Sequence, residues 1–415
     1  MLPRLRSSCQ IALVSLSSWR GPALGVIGAS WGLITLSFGG PLWSTVLAWG
    51  LAVGGAGSAV ADLRTANREA ARLYIYNDRA SAALALQPSD LYAEFADHRW
   101  GYGRRYLSNP ALNAALNSSV VRVEVRGQYR MPKSVADLRP FLLLNERREG
   151  NVIFDDKKVR LADDLTVARL SSSVPIRLER TTYFASICTN EIVDKEIRVR
   201  STDIPRLRGI DLCADSGVLL DLSQSLCSNH IGVSTLALTR DGYLVTTVQA
   251  AGSAQYSNSV APSGSGSADL ADVLPGDTLR MFVVRAMERE LAEECGLGSK
   301  SGLIATALTG YARLIERGGK PEFFGFTRVD ASRSEIRVTR KESVFVAETR
   351  GHRIDRNNLL HGLNQLCDRE ESAFSPSMHV ALELLMVALR RQDPAVLSLI
   401  EVDRLGQGNG VGPVG

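Results

Sequence analysis

Residues 289–297 constrain the fold of this chain more than any other feature, and they read Arg-Glu-Leu-Ala-Glu-Glu-Cys-Gly-Leu. Positions three and four apart lie on one face of an α-helix, so Glu290, Glu293 and Glu294 are expected to point the same way. Carboxylates that share a face repel one another, and a hard divalent cation such as Mg²⁺ relieves that repulsion. Gly296 follows the last turn, where a positive φ is usual, and therefore predicts the end of the helix.

The apolar residues of the same segment predict how the helix packs. Val284, Met287, Leu291 and Cys295 fall on the adjoining face, which would hold the helix down and leave the acids toward a cleft. The alternative is an ordinary solvated helix rich in Glu and Arg.

Residues 289–297 resemble the second half of the Nudix box, Arg-Glu-apolar-x-Glu-Glu-x-Gly-apolar, at every specified position. The resemblance extends over roughly residues 229–395 and implies an α/β/α sandwich with a mixed sheet. It also implies Mg²⁺- or Mn²⁺-dependent hydrolysis of a nucleoside diphosphate linked to another group. The implied metal ligands are Glu290, Glu293 and Glu294, with Glu293 and Glu294 also catalytic, while Arg289 forms a structural ion pair with the acids.

The first half of the box differs in this sequence. Eight residues before Arg289, the family has a glutamate and this chain has Met281. Fourteen residues before Arg289, the family has a glycine and this chain has Pro275. A thioether is a poor ligand for Mg²⁺. An oxygen to replace the glutamate could come from one of three nearby acids, Asp269, Asp272 or Asp277.

Upstream of the acidic helix the pattern indicates a hairpin followed by a loop. Residues 233–239 and 243–248 are β-prone and flank Asp241-Gly242, which supplies a positive-φ turn. Residues 261–269 are rich in Gly and Ser, and Gly264, Gly266 and Asp269 are candidates for a substrate loop whose backbone N–H groups cradle phosphate. A flexible low-complexity linker is the competing interpretation.

Downstream, the pattern predicts strands at residues 303–315, 323–329 and 343–347, a closing helix at 378–390, and a disordered Gly-rich tail. Arg317 and Lys320 lie in the turn between the first two strands. They could contact a phosphate, but a solvated turn is favoured. The general base is one of the box glutamates or a downstream acid, of which Glu342, Glu348 and Asp355 are candidates.

Residues 120–222 contain short β-prone runs at 120–125, 152–154, 174–178 and 197–199. The segment 181–191 combines Thr, Asn and Cys and suits either a ligand contact or a satisfied turn. The net charge of +4 is not clustered enough to indicate nucleic acid, and the six cysteines show neither CxxC pairs nor zinc-like spacing. Reduced thiols are therefore expected.

Residues 21–61 contain no charged side chain. The run divides at residues 38–41, so residues 22–37 and 42–61 predict a hairpin of two transmembrane helices. Arginines flank both ends, which by the positive-inside rule places both termini and the remaining domains in the cytoplasm, at the inner membrane. A buried pair of apolar helices in a folded domain is the alternative.

The expected organisation is a transmembrane hairpin (1–62), a helical linker (63–119), a small α+β domain of unknown role (120–228), a Nudix-like domain (229–400) and a disordered tail (401–415). The expected function is a membrane-anchored, metal-dependent hydrolase whose partners are a nucleotide-type small molecule and, through residues 21–61, the membrane, without nucleic acid. The alternative is an impaired nucleotide-binding sensor coupled to the hairpin, which could also form a homo-oligomer. That combination resembles bacterial defence effectors.

Overall fold

The computed structural model describes residues 10, 29–30, 33, 42–70, 73–77, 82–100, 104–199, 206–251, 256–297, 304–340 and 342–406. Its α-helices, within those residues, are α1 (Leu42–Ala70), α2 (Pro110–Ala115), α3 (Lys133–Arg148), α4 (Val167–Leu170), α5 (Tyr183–Ile187), α6 (Leu279–Cys295), α7 (Leu359–Glu370), α8 (Pro376–Arg390) and α9 (Pro394–Gly406). Its strands are β1 (Leu73–Asn77), β2 (Ala96–Trp100), β3 (Arg104–Ser108), β4 (Val123–Gln128), β5 (Lys157–Leu161), β6 (Ile176–Thr182), β7 (Lys195–Val199), β8 (Leu207–Arg208), β9 (Ala214–Asp215), β10 (Val218–Leu219), β11 (Gly232–Leu238), β12 (Tyr243–Gln249), β13 (Val260–Pro262), β14 (Gly264–Ser267), β15 (Ile304–Leu314), β16 (Lys320–Val329) and β17 (Val346–Arg353).

The chain divides into two compact units, each built from separate stretches of sequence. The first contains Met1–Tyr76, Pro132–Phe154 and Ile197–Leu207, and the second contains Asn77–Met131, Asp155–Glu196 and Arg208–Gly415. Helices α1 and α3 pack against each other in the first unit. This grouping differs from the five consecutive segments expected from the sequence, whose boundaries stay a prediction.

The predicted membrane hairpin falls on residues 22–61. Its first half lies almost entirely outside the described residues, and its second half is the start of α1. Among the described residues, no helix combines the length and the apolar character needed to span a bilayer. The assignment of residues 42–61 as a transmembrane helix is therefore not supported. The inner-membrane location stays a prediction.

The second unit is built on a nine-stranded sheet with the order β13-β12-β11-β16-β15-β3-β2, in which β14 also pairs with β11 and β17 with β12. Strands β11 and β16 are parallel, whereas β15 is antiparallel to β16, so the sheet is mixed. A smaller sheet has the order β4-β6-β5. The fold of this unit is therefore mixed α/β with several sheets.

Helices cover both faces of the large sheet. Alternate residues of β11 point to opposite faces: Leu236 packs in a cluster with α7 and α8, and Ala237 packs with Leu291 and Cys295 of α6. Every residue of β11 is buried, as expected for a central strand covered on both faces. The sheet thereby fixes the position of α6.

Several local predictions are confirmed. Strands β11 and β12 form the antiparallel hairpin around Asp241-Gly242, and Gly242 has a φ of 85°. Strands β15 and β16 and helix α8 lie where the pattern placed them. The tail expected to be disordered from residue 401 differs in part, because helix α9 continues to Gly406; residues from 407 onward lie outside the described residues.

Other predictions are wrong because pairing partners distant in sequence decide them. The supposed helical linker contains β2 and β3, which join the large sheet beside β15. The supposed Gly/Ser loop contains β13 and β14, and β14 pairs with β11 along its whole length. Residues 152–154 form no strand, and the strand expected at 343–347 begins only at Val346. Strand pairing depends on context more than on intrinsic propensity.

Candidate functional site

Helix α6 begins and ends as its sequence indicates. The hydroxyl of Thr278 accepts a hydrogen bond from the Met281 N–H at 3.2 Å, which caps the first turn. Gly296 ends the helix with a φ of 64°. Met287, Leu291 and Cys295 are buried, together with Phe282, Val283 and Ala286, whereas Val284 is only half-buried.

The three glutamates of α6 differ in exposure. The Glu290 and Glu293 side chains are 13% and 39% exposed, and Glu294 is 6% exposed. Glu290 Oε1 accepts a hydrogen bond from the backbone N–H of Ser267 at 3.2 Å, and Glu294 Oε2 accepts one from Ser265 at 3.2 Å. Strand β14 therefore holds two of the carboxylates with its free backbone edge.

The glycines of β14 make this contact geometrically feasible. A Cβ on Gly264 would lie 2.6 Å from the Leu291 Cα, and a Cβ on Gly266 would overlap the Glu290 carboxylate. The predicted phosphate cradle thus has another structural role, because its glycines let α6 approach and its N–H groups bind carboxylates. Contact of Gly264, Gly266 and Asp269 with a substrate stays a prediction.

Burial makes the acid cluster electrostatically unfavourable. Burial raises the pKa of Glu290, although the positive charges of Arg289 and Lys158 oppose the change. Burial, followed by the negative charge of Glu290, raises the pKa of Glu294 well above its usual range; the Ser265 N–H opposes this, while Glu342 and Glu293 add to it. Glu294 is therefore a buried acid surrounded by other acids.

This environment predicts a pH-dependent stability. A carboxyl group whose pKa is raised on folding contributes stability that is complete below its unfolded pKa and is lost as pH rises through the folded value. For metal-free protein we expect Glu294→Gln to make the fall in unfolding free energy shallower as pH rises above about 6.5, by at most about 1.4 kcal/mol per pH unit. Urea denaturation at several pH values measures it.

The histidines do not affect this comparison of the wild type with Glu294→Gln. Burial lowers the pKa of His230, His352 and His379, and a lowered histidine pKa affects stability only below the unfolded value of about 6.5. If the unfolding free energy of the wild type and that of Glu294→Gln changed equally with pH above about 6.5, folding would not raise the pKa of Glu294.

Arg289 ties the acidic helix to the preceding loop. Its guanidinium forms a two-point ion pair with Asp272, with Nε–Oδ1 and Nη2–Oδ2 both at 2.9 Å. It also lies 3.0 Å from Glu290 and 3.4 Å from Glu293. The expected structural ion pair is present, and its main partner is an acid outside the helix.

The three acids proposed to replace the missing glutamate already form ion pairs with arginine or lysine side chains. Asp272 pairs with Arg289, Asp277 forms a two-point pair with Arg285 at 2.6 and 3.1 Å, and Asp269 pairs with Lys158. Met281 itself is 48% exposed. Among the described residues, no three His, Cys, Asp or Glu side chains are gathered so that they could hold a metal ion as they stand.

Asp272→Asn is expected to lower the free energy of unfolding by about 3 kcal/mol, because it leaves the partly buried Arg289 without its best partner. Chemical denaturation measures the change. Asp330→Asn is the matched control, since the pair of Asp330 with Arg240 is more than half exposed, and we expect less than about 0.5 kcal/mol. Similar losses in both variants would contradict a special role for Asp272.

Sequence reasoning missed or misplaced several residues around the site. Arg317 and Lys320, taken as a solvated turn, are 7% and 1% exposed. Lys158 was not singled out, and His230 was taken only as a lone histidine, because the neighbours of both come from distant parts of the chain. Within the segment 181–191, Asn190 Nδ2 donates to Asn229 Oδ1 at 3.0 Å, so this part of the segment is a satisfied buried turn.

Comparison with known proteins leaves the family of this chain open. No protein-family model and no curated protein matches it. Among solved structures, DR0079 from Deinococcus radiodurans is 12% identical, with 37% of this chain and 81% of that chain covered and a TM-score of 0.26. Tm1382, a candidate Nudix hydrolase, is 11% identical, with 38% and 69% covered and a TM-score of 0.24. Scores this low carry no argument about activity.

Proposed function

We propose that this protein is a divalent-metal-dependent hydrolase of the Nudix type, acting on a nucleoside diphosphate linked to another group. The observation that carries the proposal is the pair of buried carboxylates Glu290 and Glu294 on one face of α6, held by the N–H groups of Ser267 and Ser265. Buried acids grouped in this way are typical of sites that bind hard cations. The motif at residues 289–297 supports the same conclusion.

The residues present fit Mg²⁺ or Mn²⁺ by charge and by donor chemistry. Glu290, Glu293 and Glu294 offer carboxylate oxygens, which these cations prefer. Glu293 is the most exposed of the three and pairs with Arg289 at 3.4 Å, so its carboxylate would have to turn from Arg289 toward the other two on binding. A cation held there would supply positive charge to neutralise the diphosphate and would orient a water for attack.

Hydrogen bonds and ion pairs within the protein orient the carboxylates of this site in the absence of a cation. The backbone N–H groups of Ser265 and Ser267 fix the orientation of the Glu294 and Glu290 carboxylates. Arg289, held by Asp272, keeps Glu290 and Glu293 close to each other despite their like charge. This preorganisation means that little side-chain freedom is lost when ligand binds.

Of the three downstream acids, we propose Glu342 as the general base. The support is that its negative charge contributes to the raised pKa of Glu294. Glu348 instead pairs with Arg350 at 2.7 Å on the surface, and Asp355 accepts a hydrogen bond from Asn357 N–H at 2.9 Å. A base near the metal helix can take the proton of an attacking water.

A second candidate function is nucleotide binding without cleavage. One reason is that the exposed Met281 stands where the motif has a glutamate. The other is that Asp269, Asp272 and Asp277 already form ion pairs with lysine or arginine side chains. A site with fewer oxygen ligands would bind the cation more weakly and catalyse less well.

Incubation of the full-length protein with Mn²⁺ or Mg²⁺ and a set of nucleoside diphosphate-linked compounds separates the two candidates. Release of a phosphorylated product that EDTA stops supports the hydrolase. Metal-dependent binding of a compound without product release supports the binding module. If the protein neither binds nor hydrolyses any of the compounds, both candidate functions are excluded.

A further inference from the structure

A second group of polar residues is buried on strands β11 and β16 and the segments before them. It consists of His230, Asn229, Arg317 and Lys320, which we call the basic cluster, and these are 1%, 0%, 7% and 1% exposed. Buried charged residues are costly unless they are paired or bind something. The partners of the basic cluster therefore show what it is suited to do.

The carboxylates near the basic cluster hydrogen-bond to Arg317 but leave Lys320 without a close partner. Glu191 accepts two hydrogen bonds from the Arg317 guanidinium, with Nε–Oε1 at 3.0 Å. Lys320 Nζ lies 3.7 Å from Glu322 Oε2, beyond hydrogen-bond distance, while Glu322 Oε1 is occupied by the hydroxyls of Ser234 and Ser377 at 3.0 and 2.8 Å.

The positive charges of nearby side chains also act on the ring of His230. Burial, and then the positive charges of Lys320, Arg317 and Lys158, hold the pKa of His230 well below its usual range. Three cations therefore lie close enough to the His230 ring to act on it. A positive potential inside a protein attracts an anion.

Two atoms of the basic cluster also lack partners. Among the described residues, Asn229 Nδ2 and His230 Nδ1 are buried without a hydrogen bond. Asn229 Oδ1 already accepts from Asn190 Nδ2 at 3.0 Å, so the open group of Asn229 is a donor. Buried polar atoms without partners are rare in native proteins and indicate a missing ligand or water.

A glycine keeps the Lys320 ammonium close to the strand. A Cβ on Gly232 would lie 2.6 Å from Lys320 Nζ and 2.8 Å from Glu322 Oε2. Ser267 then connects the basic cluster to the acidic helix, because its hydroxyl lies 2.9 Å from His230 Nε2 and its N–H lies 3.2 Å from Glu290 Oε1. Only one residue separates the two groups.

We propose that Arg317, Lys320, His230 and Asn229 form a binding site for a phosphate group. Phosphate oxygens accept hydrogen bonds from guanidinium, ammonium and amide donors, which is the donor set found here. The neighbouring acids Glu191 and Glu322 orient the two cations. That the phosphate belongs to the substrate of the acidic helix rests on the proposed function, whereas phosphate binding itself does not.

The test is thermal unfolding of the full-length protein in EDTA, with inorganic phosphate against chloride at equal ionic strength. Phosphate at about ten times its dissociation constant is expected to raise the Tm of the wild type by roughly 2–4 °C. Lys320→Gln is expected to weaken binding at least about tenfold, because it removes a buried charge. Lys157→Gln, an exposed lysine on β5, is the control and keeps the wild-type affinity.

The wild type provides an independent check if Lys320→Gln does not fold. Burial lowers the pKa of Lys320 to about 8, so phosphate affinity measured by calorimetry is expected to fall as pH rises from about 8 to 9.5, where phosphate is already a dianion. An affinity that stays constant or increases over that range would overturn the proposal, as would equal stabilisation by phosphate and chloride.

A second titration in EDTA uses ADP in place of inorganic phosphate. Tighter Lys320-dependent binding of ADP assigns the site to a nucleotide phosphate, and tighter binding of inorganic phosphate assigns it to the free anion. Because no metal is present, failure of the hydrolase assay leaves these results unaffected.

Discussion

Glu294→Gln is expected to lower metal-dependent hydrolysis by about 10²–10³-fold, as is typical when one preorganised catalytic group is removed. Glutamine keeps the shape of the side chain and can still accept the Ser265 N–H bond, but it supplies no negative charge to a cation. The same variant should bind Mn²⁺ more weakly in calorimetric titration. Hydrolysis is measured as kcat/KM on any compound that the wild type cleaves.

Glu288→Gln is the matched control on the same helix. Burial raises the pKa of Glu288, and its carboxyl group is hydrogen-bonded to Thr306; Thr306 lies on β15, away from β14. We expect this variant to keep the wild-type Mn²⁺ affinity and activity within about twofold, as for a substitution outside the reacting groups. If the two variants lost activity equally, the acid cluster around Glu294 would not be the metal site.

The second large effect is expected at the glycines of β14, where two similar substitutions should have different consequences. In Gly264→Ala the new methyl group meets the α6 backbone, 2.6 Å from both the N and the Cα of Leu291. Backbone on both sides cannot move cheaply, so we expect a loss of about 2–3 kcal/mol in the free energy of unfolding. Urea denaturation measures it.

In Gly266→Ala the new methyl group meets only the end of the Glu290 side chain, which can rotate away. We expect a loss of stability below about 1 kcal/mol. Displacement of the Glu290 carboxylate should still weaken Mn²⁺ binding and activity at least about tenfold, because catalytic groups tolerate little misplacement. Equal destabilisation by both alanines would show that α6 does not press on β14 as the structure has it.

The acidic helix could be predicted from sequence because its determinants are local. The spacing of Glu290, Glu293 and Glu294, the apolar positions from Met287 to Cys295, and the ending at Gly296 are all properties of one continuous segment. The hairpin at Asp241-Gly242 was equally accessible, since a two-residue turn and its flanking strands adjoin in sequence.

The burial of Arg317 and Lys320 could not be predicted in the same way. Their segment has the composition of an exposed turn, and only the packing of Glu191, Glu322 and His230 around it shows that it is interior. Strand β14 was hidden for a related reason. Gly and Ser have low strand propensity, and their pairing with β11 reflects the partner strand and the helix above it.

The sequence by itself determined which residues form the helix of acids, where that helix ends and which of its faces is apolar. Those features follow from backbone periodicity and from the φ angle that glycine permits. Only the tertiary structure decided that Glu290 and Glu294 are held by backbone N–H groups, that Asp272 rather than a helix residue is the main partner of Arg289, and that a basic cluster lies one residue away. Each of these contacts joins segments separated by many residues, and they are selected by the packing of the whole sheet and its helices.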